Sequence, residues 1–178
     1  SVLKKEVKKE EAEEIVKKLI ELGAAAELEG AIDAITTNVT NFFRHERHFD
    51  FVAERTKRAL SAGQTRFRYW SAACSSGEEP YSLAMTLHDA AGSGRLDVKI
   101  LATDISTEMI AIAQEKLAAQ PVAALALRTA TVDELATGPE RFDAVLGFNY
   151  LHLVRDLPGT LRGIHALLAS DGLFVSKT

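Results

Sequence analysis

The run Trp70-Ser71-Ala72-Ala73-Cys74-Ser75-Ser76-Gly77-Glu78-Glu79-Pro80-Tyr81-Ser82 constrains this chain more than any other segment. It follows Phe67 to Trp70, an apolar run that reads as a strand. It precedes Leu83, Ala84, Leu87 and Ala91, which share one face at helical spacing. A strand that feeds a small-residue loop and then a helix is the ligand-cradling element of doubly wound α/β folds. Small side chains let a ligand approach the backbone, and a helix start offers free N–H groups. Glu78 and Glu79 set two carboxylates beside the loop, which disfavours a polyphosphate and suits a cationic centre or ribose hydroxyls.

The same alternation continues down the chain. Helices are expected near Phe49–Leu60, Pro80–Ala91, Thr107–Ala118 and Leu157–Leu168. Strands are expected at Phe67–Trp70, Val98–Ala102, Leu125–Ala130, Ala144–Leu146 and Leu173–Ser176. The strands are mostly apolar throughout, the pattern of a parallel sheet buried between helices on both faces. Gly92-Ser93-Gly94 and Thr137-Gly138-Pro139 mark surface turns.

With 178 residues the chain suits one domain with a sizeable core. The formal net charge of -4, with acids interleaved among the bases, argues against a general nucleic-acid binder. No apolar run approaches membrane-spanning length, and no secretory signal stands out. Cys74 is the single cysteine, so no intrachain disulfide can form, which fits a reducing cytoplasm. The chain begins at Ser1 rather than methionine, which points to processing or trimming.

Residues 1–30 differ in character. They are rich in Lys and Glu and hold no aromatic residue. Ala12, Ile15, Val16, Leu19 and Leu22 form one helical stripe, and Glu13–Lys17 and Glu14–Lys18 are favourable i,i+4 pairs. Gly23 is a natural helix stop, with weak strand signals at Val2–Val7 and Ala24–Glu29. A β-α-β unit is expected, its charges forming a solvated helix face. A second domain segment, residues 31–178, holds the alternating pattern, and the two are expected to form one globule.

Several residues fall where open α/β sheets bind ligands, at the carboxyl ends of strands. Asp104 ends the second strand, where a carboxylate can meet ribose hydroxyls; capping the next helix is the other reading, although Ser106 and Thr107 cap equally well. Asp133, after the third strand, suits either an adenine amino group or a helix cap. Gly147-Phe148-Asn149-Tyr150-Leu151-His152 ends the fourth strand, and His152 reads as structural or solvated more readily than as a site residue. Upstream, Thr36-Thr37-Asn38-Val39-Thr40-Asn41-Phe42-Phe43-Arg44 reads as a polar helix-joining segment with Phe42 and Phe43 in the core.

Taken together, the segments Thr36 to Arg44, Trp70 to Ser82 and Leu101 to Met109 resemble the bacterial chemotaxis receptor methyltransferases, over residues 31–115. That family uses S-adenosylmethionine to methylate glutamate side chains of chemoreceptors. The resemblance implies a Rossmann-like class I methyltransferase sandwich and a cofactor pair of S-adenosylmethionine and S-adenosylhomocysteine. It implies that Asn38, Thr40 and Arg44 form a lid over the cofactor. Arg44 would also orient a substrate carboxylate through a charge-assisted fork. Ala72 and Gly77 would be cofactor-binding, and Glu79 would face the methionine portion, where its carboxylate can pair with the amino group. Asp104 and Ile105 would meet the ribose and its surroundings. Asp133 matches a position beside the adenine, where the family commonly has asparagine. Phe148 and Asn149 match the fourth-strand end. No metal ligand set is assigned, and the implied partner is a protein glutamate.

Other parts depart from that family. Its fourth strand carries an Arg-Asn pair and then a tyrosine, whereas here Phe148 stands at the Arg position and no tyrosine occupies the later one. Phe142 to Val154, Ile164-His165 and Gly172 to Thr178 resemble a small-molecule class I methyltransferase instead. Residues 8–29 resemble the C-terminal domain of the ribosomal stalk protein, without the earlier helices on which that family's factor binding depends. Three resemblances in one chain imply an engineered or recombined chimera, with two expectations. The fifth strand is an edge that the N-terminal unit covers. Either methyl transfer survives, or the chain is a scaffold without catalytic activity.

Overall fold

The computed structural model describes residues 40–92 and 96–177. The β-α-β unit expected in residues 1–30, the edge it was expected to cover and Asn38 therefore bear on residues outside that description. Helix α1 spans Glu46–Ser61 and leads to strand β1, Arg66–Ala72. Then come α2 (Glu78–Ala91), β2 (Asp97–Asp104), α3 (Thr107–Ala119) and β3 (Leu125–Thr129). A short α4 (Val132–Ala136) precedes β4 (Phe142–Phe148). A single 3-10 turn at Leu151–Leu153, α5 (Leu157–Leu167) and β5 (Leu168–Lys177) complete the order.

Side-chain chemistry marks most helix starts. Ser106 caps α3 by accepting from the Met109 N–H at 3.2 Å. Thr131 and Glu134 form a reciprocal capping box on α4. Asp156 caps α5 by accepting from the Gly159 N–H at 2.9 Å. No side chain caps α2, whose N-cap is Gly77 at φ 100°. A left-handed backbone there leaves the first N–H groups turned toward the loop.

All described pairings are parallel, and the strand order is β3-β2-β1-β4-β5. This is an α/β, Rossmann-like sandwich of the class I methyltransferase type. Alternation along β1 sends Phe67 and Tyr69 into one apolar layer and Trp70 and Ala72 into the other. The first layer joins Phe49 and Val52 of α1, Leu83 and Leu87 of α2 and Ile110 of α3. The second joins Leu135 of α4 with Ile164 and Leu167 of α5. In that layer Trp70 also donates from Nε1 to Thr103 Oγ1 at 3.0 Å.

The strands and helices expected among the described residues form, with two additions and two corrections. Helix α4 and the 3-10 turn are too short to show a period. Strand β5 starts at Leu168, directly after α5, because Phe142 pairs with Leu168 and Ala144 with Leu173, leaving residues 169–172 as an irregularity. The expectation that Phe42 and Phe43 enter the core is overturned. They are 53% and 39% exposed, and each meets the body by an aromatic edge, Phe42 on Tyr81 and Phe43 on Phe49.

Candidate ligand site at the carboxyl edge of the sheet

The order β2-β1-β4 reverses direction at β1, so the connections leaving β1 and β4 diverge and open a crevice at their carboxyl ends. The loop after β1 holds Ala73 at φ 58° and Ser75 at φ 49°, both left-handed without being glycine. Such backbone strain persists only where surrounding contacts over-determine it. Those contacts are visible: the Cys74 N–H donates to the Thr103 carbonyl at 2.9 Å, and the Ser75 N–H to Asp104 Oδ2 at 2.9 Å. At Gly77 a Cβ would stand 3.2 Å from the Ala113 Cβ, so the loop also lies close upon α3.

The two glutamates of the loop divide. Glu78 pairs with Lys116 of α3, which also donates to the Ser76 carbonyl at 2.8 Å, while the Ser76 hydroxyl donates to Glu78 Oε2 at 2.7 Å. Its charge is thus neutralised within the protein. Glu79 turns the other way, accepting from Ser71 Oγ at 2.6 Å and from the backbone N–H of Phe148. Burial of the carboxyl pushes its pKa up to about 7, against the opposing pull of those two donors. The residue as a whole is half-buried. A buried carboxyl with no ion pair to Lys or Arg recorded among the described residues is a receptor for an ammonium group.

Asp104 accepts from the Ser75 N–H through one oxygen and from the Ser106 N–H, at 2.9 Å, through the other. Of its two sequence readings, the cap of α3 belongs to Ser106 instead. Each Asp104 oxygen retains a second lone pair for a hydroxyl donor. Ile105 beside it is 77% exposed, a large apolar side chain left open at the crevice. Asp133 is exposed in the first turn of α4 with no hydrogen-bond partner among the described residues, and the cap it was weighed for is Thr131. Ala72 is buried in the layer facing away from Glu79, so only its backbone borders the loop.

The segment before α1 is fastened at two points. The Phe43 N–H donates to Ser82 Oγ of α2 at 2.9 Å, and Asn149 Nδ2 lies 3.0 Å from His45 Nε2. Arg44 is carried between those anchors, on the exposed side, with Thr40 at the start of the segment. His45, Phe49 and Phe148 meet edge to face, and His48 tilts against Phe148. Glu79, Phe148, Asn149 and the Arg44 segment are therefore brought together, with Gly77, Asp104 and Ile105 on the other side of the loop. His152 is exposed on the 3-10 turn and joins none of them.

Three contributors were not singled out from the sequence. Ser71 shows itself only through strand alternation, which points it toward α2. His45 carries no periodic signal, and the buried ring of Tyr150 depends on the small residue at Gly147. Two cavities lie elsewhere. One of about 650 Å³ opens between α1 and the amino halves of β1, β4 and β5, lined by Phe51, Arg55 and Tyr69. Another of about 810 Å³ lies against β1, β2 and β3 near Arg66, Lys99 and Arg128. Neither contains the loop residues, and the chemistry described above belongs to the crevice.

Residues 38–130 match the family described as CheR methyltransferase, SAM binding domain. The chain is 46% identical over 91 residues to a chemotaxis protein methyltransferase of Borreliella burgdorferi, covering 47% of this chain and 32% of that protein. It is 46% identical over 86 residues to the chemotaxis protein methyltransferase of Salmonella typhimurium, covering 48% of this chain and 28% of that one. The chain thus spans about a third or less of the length of these curated relatives. Among solved structures, an S-adenosylmethionine-dependent methyltransferase from Clostridium acetobutylicum superposes with a TM-score of 0.54 at 19% identity, covering 80% of this chain and 52% of that chain. That likeness is one of fold.

Proposed function

Because the chain belongs to the CheR methyltransferase family through its SAM-binding domain, we propose that it binds S-adenosylmethionine in the crevice at the carboxyl edge and directs methylation of a protein glutamate. The family's cofactor pair is S-adenosylmethionine and S-adenosylhomocysteine. The observation that carries the reading is the pairing of Glu79 and Asp104 on opposite sides of one strained loop, the first without a cation and the second with acceptor capacity to spare.

The residues fit such a cofactor. Glu79, held by Ser71 and the Phe148 N–H, would take the amino group of the methionine portion. Asp104 would take ribose hydroxyls, and exposed Ile105 would cover the adjoining purine face. Gly77 keeps the loop close to α3, so the backbone borders the ligand. Asp133 would lie toward the adenine, Phe148 and Asn149 would close the β4 end, and Thr40 would belong to the lid, to which the family resemblance also assigns Asn38, outside the described residues. When bound, the cofactor supplies an electrophilic methyl group on a sulfonium centre. Arg44 would orient the acceptor carboxylate by a charge-assisted fork. A glutamate carboxylate is ionised at neutral pH, so the chain needs no general base. Its contribution is alignment and exclusion of water.

A composite origin is a second, separate proposal, with residues 1–30 and 31–178 as its segments. It is supported by the end of the family match at residue 130, before the β4 sequence that resembles another methyltransferase group. An inactive scaffold is the less favoured form of that reading. No helix among the described residues is long and apolar enough to cross a membrane.

Calorimetric titration with S-adenosylhomocysteine tests the function. Heat of binding is expected, and Asp104→Asn should weaken the affinity by ~1–3 kcal/mol through loss of a charged hydrogen-bond acceptor. No heat and no thermal shift at millimolar ligand overturns the reading.

A further inference from the structure

The cavity of about 810 Å³ against β1, β2 and β3 gathers positive charge that the crevice chemistry does not use. Alternation fixes which side chains face it. Trp70 and Thr103 are bonded on the α4–α5 side of the sheet, so Arg66 and Arg68 of β1 and Lys99 and Leu101 of β2 lie on that side too. Leu101 pairs with Ala126 and Thr103 with Arg128, which adds the same face of β3. Cover on this side is incomplete, because α4 has only five residues and with α5 closes over Trp70, Ala72 and Val145. The rest stays open: Lys99, Ala126 and Arg128 are exposed and Leu101 is half-buried.

Arg66, Arg68, Lys99, Arg128 and Arg141 line this groove, in a chain whose formal net charge is -4. Two acids oppose them. Asp97, at the margin, stands 2.7 Å from Arg68 Nη2 and 3.5 Å from Arg66 Nε, and Glu140 stands 3.6 Å from Arg128 Nη2. Arg141 donates only to the Gly138 and Glu140 carbonyls, and Lys99 has no ion pair among the described residues. The pairs of Arg66 and Arg128 are exposed on both sides and therefore weak. Arg68 and Lys99 stand directly opposite each other across β1 and β2, and like charges so placed are destabilising until an anion joins them. The spread of the charges selects that anion. Arg128 is level with Thr103, four residues along from Lys99, about 13 Å. A single phosphate cannot bridge that span, whereas a polypeptide carrying several Asp or Glu side chains can. Nucleic acid would find no stacking platform, because Tyr69, Trp70 and Phe142 are at most 5% exposed.

We propose that this groove is a docking site for an acidic polypeptide segment, separate from the cofactor crevice, with Lys99 and Arg128 as its principal charged contacts and Leu101 and Ala126 as its apolar floor. The inference goes beyond the methyl-transfer reading and stands independently of it. Arg68 and Ala72 are four residues apart on β1, again about 13 Å, so a segment held here leaves the crevice open.

The test measures binding of a fluorescently labelled octaglutamate to the full chain by anisotropy, with octaglutamine as the neutral control and S-adenosylhomocysteine titrated in parallel. Octaglutamate should bind at low salt and weaken at least about tenfold from about 50 to about 500 mM sodium chloride, while octaglutamine should not bind. Lys99→Gln/Arg128→Gln should weaken octaglutamate about tenfold, the loss of two surface charge contacts. Lys57→Gln/Arg58→Gln removes the same charge from α1, in the opposite layer, and should stay within about twofold of wild type. Glu140→Gln takes an acid out of the groove and should tighten binding, which a loss of folding cannot do. The groove variants should keep wild-type affinity for S-adenosylhomocysteine. No binding of octaglutamate at low salt overturns the inference, and so does equal weakening by the two double variants. Inorganic tripolyphosphate binding more tightly than octaglutamate also overturns it, in favour of a compact phosphate. Loss of S-adenosylhomocysteine affinity in Lys99→Gln/Arg128→Gln overturns the separation from the crevice. A wild-type chain that binds octaglutamate but not S-adenosylhomocysteine overturns the cofactor reading alone.

Discussion

The side-chain amide nitrogen of Asn149 stands 3.0 Å from Nε2 of His45, so a single hydrogen bond joins the segment before α1 to the end of β4. The amide nitrogen can only donate, so the ring nitrogen accepts and the imidazole is neutral. Burial, then Lys177, Arg44 and His48, lower the His45 pKa to about 4.

A depressed histidine pKa has a definite sign. Its stabilising contribution is complete above the unfolded value of 6.5 and is lost as pH falls toward 4. His45→Gln keeps an acceptor for Asn149 and removes the titration, so the mutant's stability should flatten in that window. An NMR titration checks the premise: the His45 ring should hold its neutral shifts down to about pH 4. Protonation near 6.5 would show that the bond to Asn149 does not hold the ring.

Glu79 predicts the opposite slope. Its folded pKa of about 7 lies above the ordinary value of 4.5, so its contribution to stability is complete below pH 4.5 and is lost as pH rises through 7. The shift corresponds to about 3 kcal/mol at its full extent. Glu79→Gln mimics the protonated form. Urea midpoints of the free mutant should exceed wild type at pH 8 and match it at pH 5, whereas its affinity for S-adenosylhomocysteine should drop at both. A mutant that parallels wild type across this range would refute the assignment.

Proton release should accompany cofactor binding. Near pH 7 about half of the Glu79 carboxyls are protonated in the free protein, and an ammonium placed beside them favours ionisation. Titrations of S-adenosylhomocysteine in buffers of different ionisation enthalpy should give about 0.5 proton released at pH 7 and less at pH 8, where the carboxyl is mostly ionised and the ligand's amine is still protonated. Heats that do not depend on the buffer at pH 7 would place the amino group elsewhere.

Gly77→Ala should destabilise the protein by about 2 kcal/mol, from the left-handed backbone and the Cβ pressed toward Ala113. Denaturant unfolding measures it. The same change at Gly63, also left-handed but with open space around its Cβ, should cost less, and the difference isolates the close approach to α3.

Much of the architecture is legible from pattern because apolar strands between amphipathic helices leave few alternatives. Strand β1, its loop and α2 show the whole cradle in thirteen consecutive residues, Trp70 to Ser82. What pattern cannot supply is which way a polar side chain turns. Glu78 and Glu79 are identical in type and adjacent, and only the approach of Lys116 from α3 separates them. Phe42 and Phe43 look like core by composition, yet a backbone at φ 54° on Phe43 and the bond from its N–H to Ser82 hold both rings near the surface. His45 and Asn149 stand 104 positions apart, and nothing local to either predicts their contact.

The pairing of Glu78 with Lys116 sets the valence of the crevice. Two consecutive acids would otherwise offer a seat to divalent cations or polyamines, which gain from doubled charge. With Glu78 tied as a brace between α2 and α3, Glu79 is the one of the two consecutive acids left to meet a cation, and a ligand's second positive charge finds no adjacent partner for it in Glu78. Selection at this end of the sheet therefore favours zwitterions and monocations, and rising salt should erode it with the shallow slope of a single ion pair.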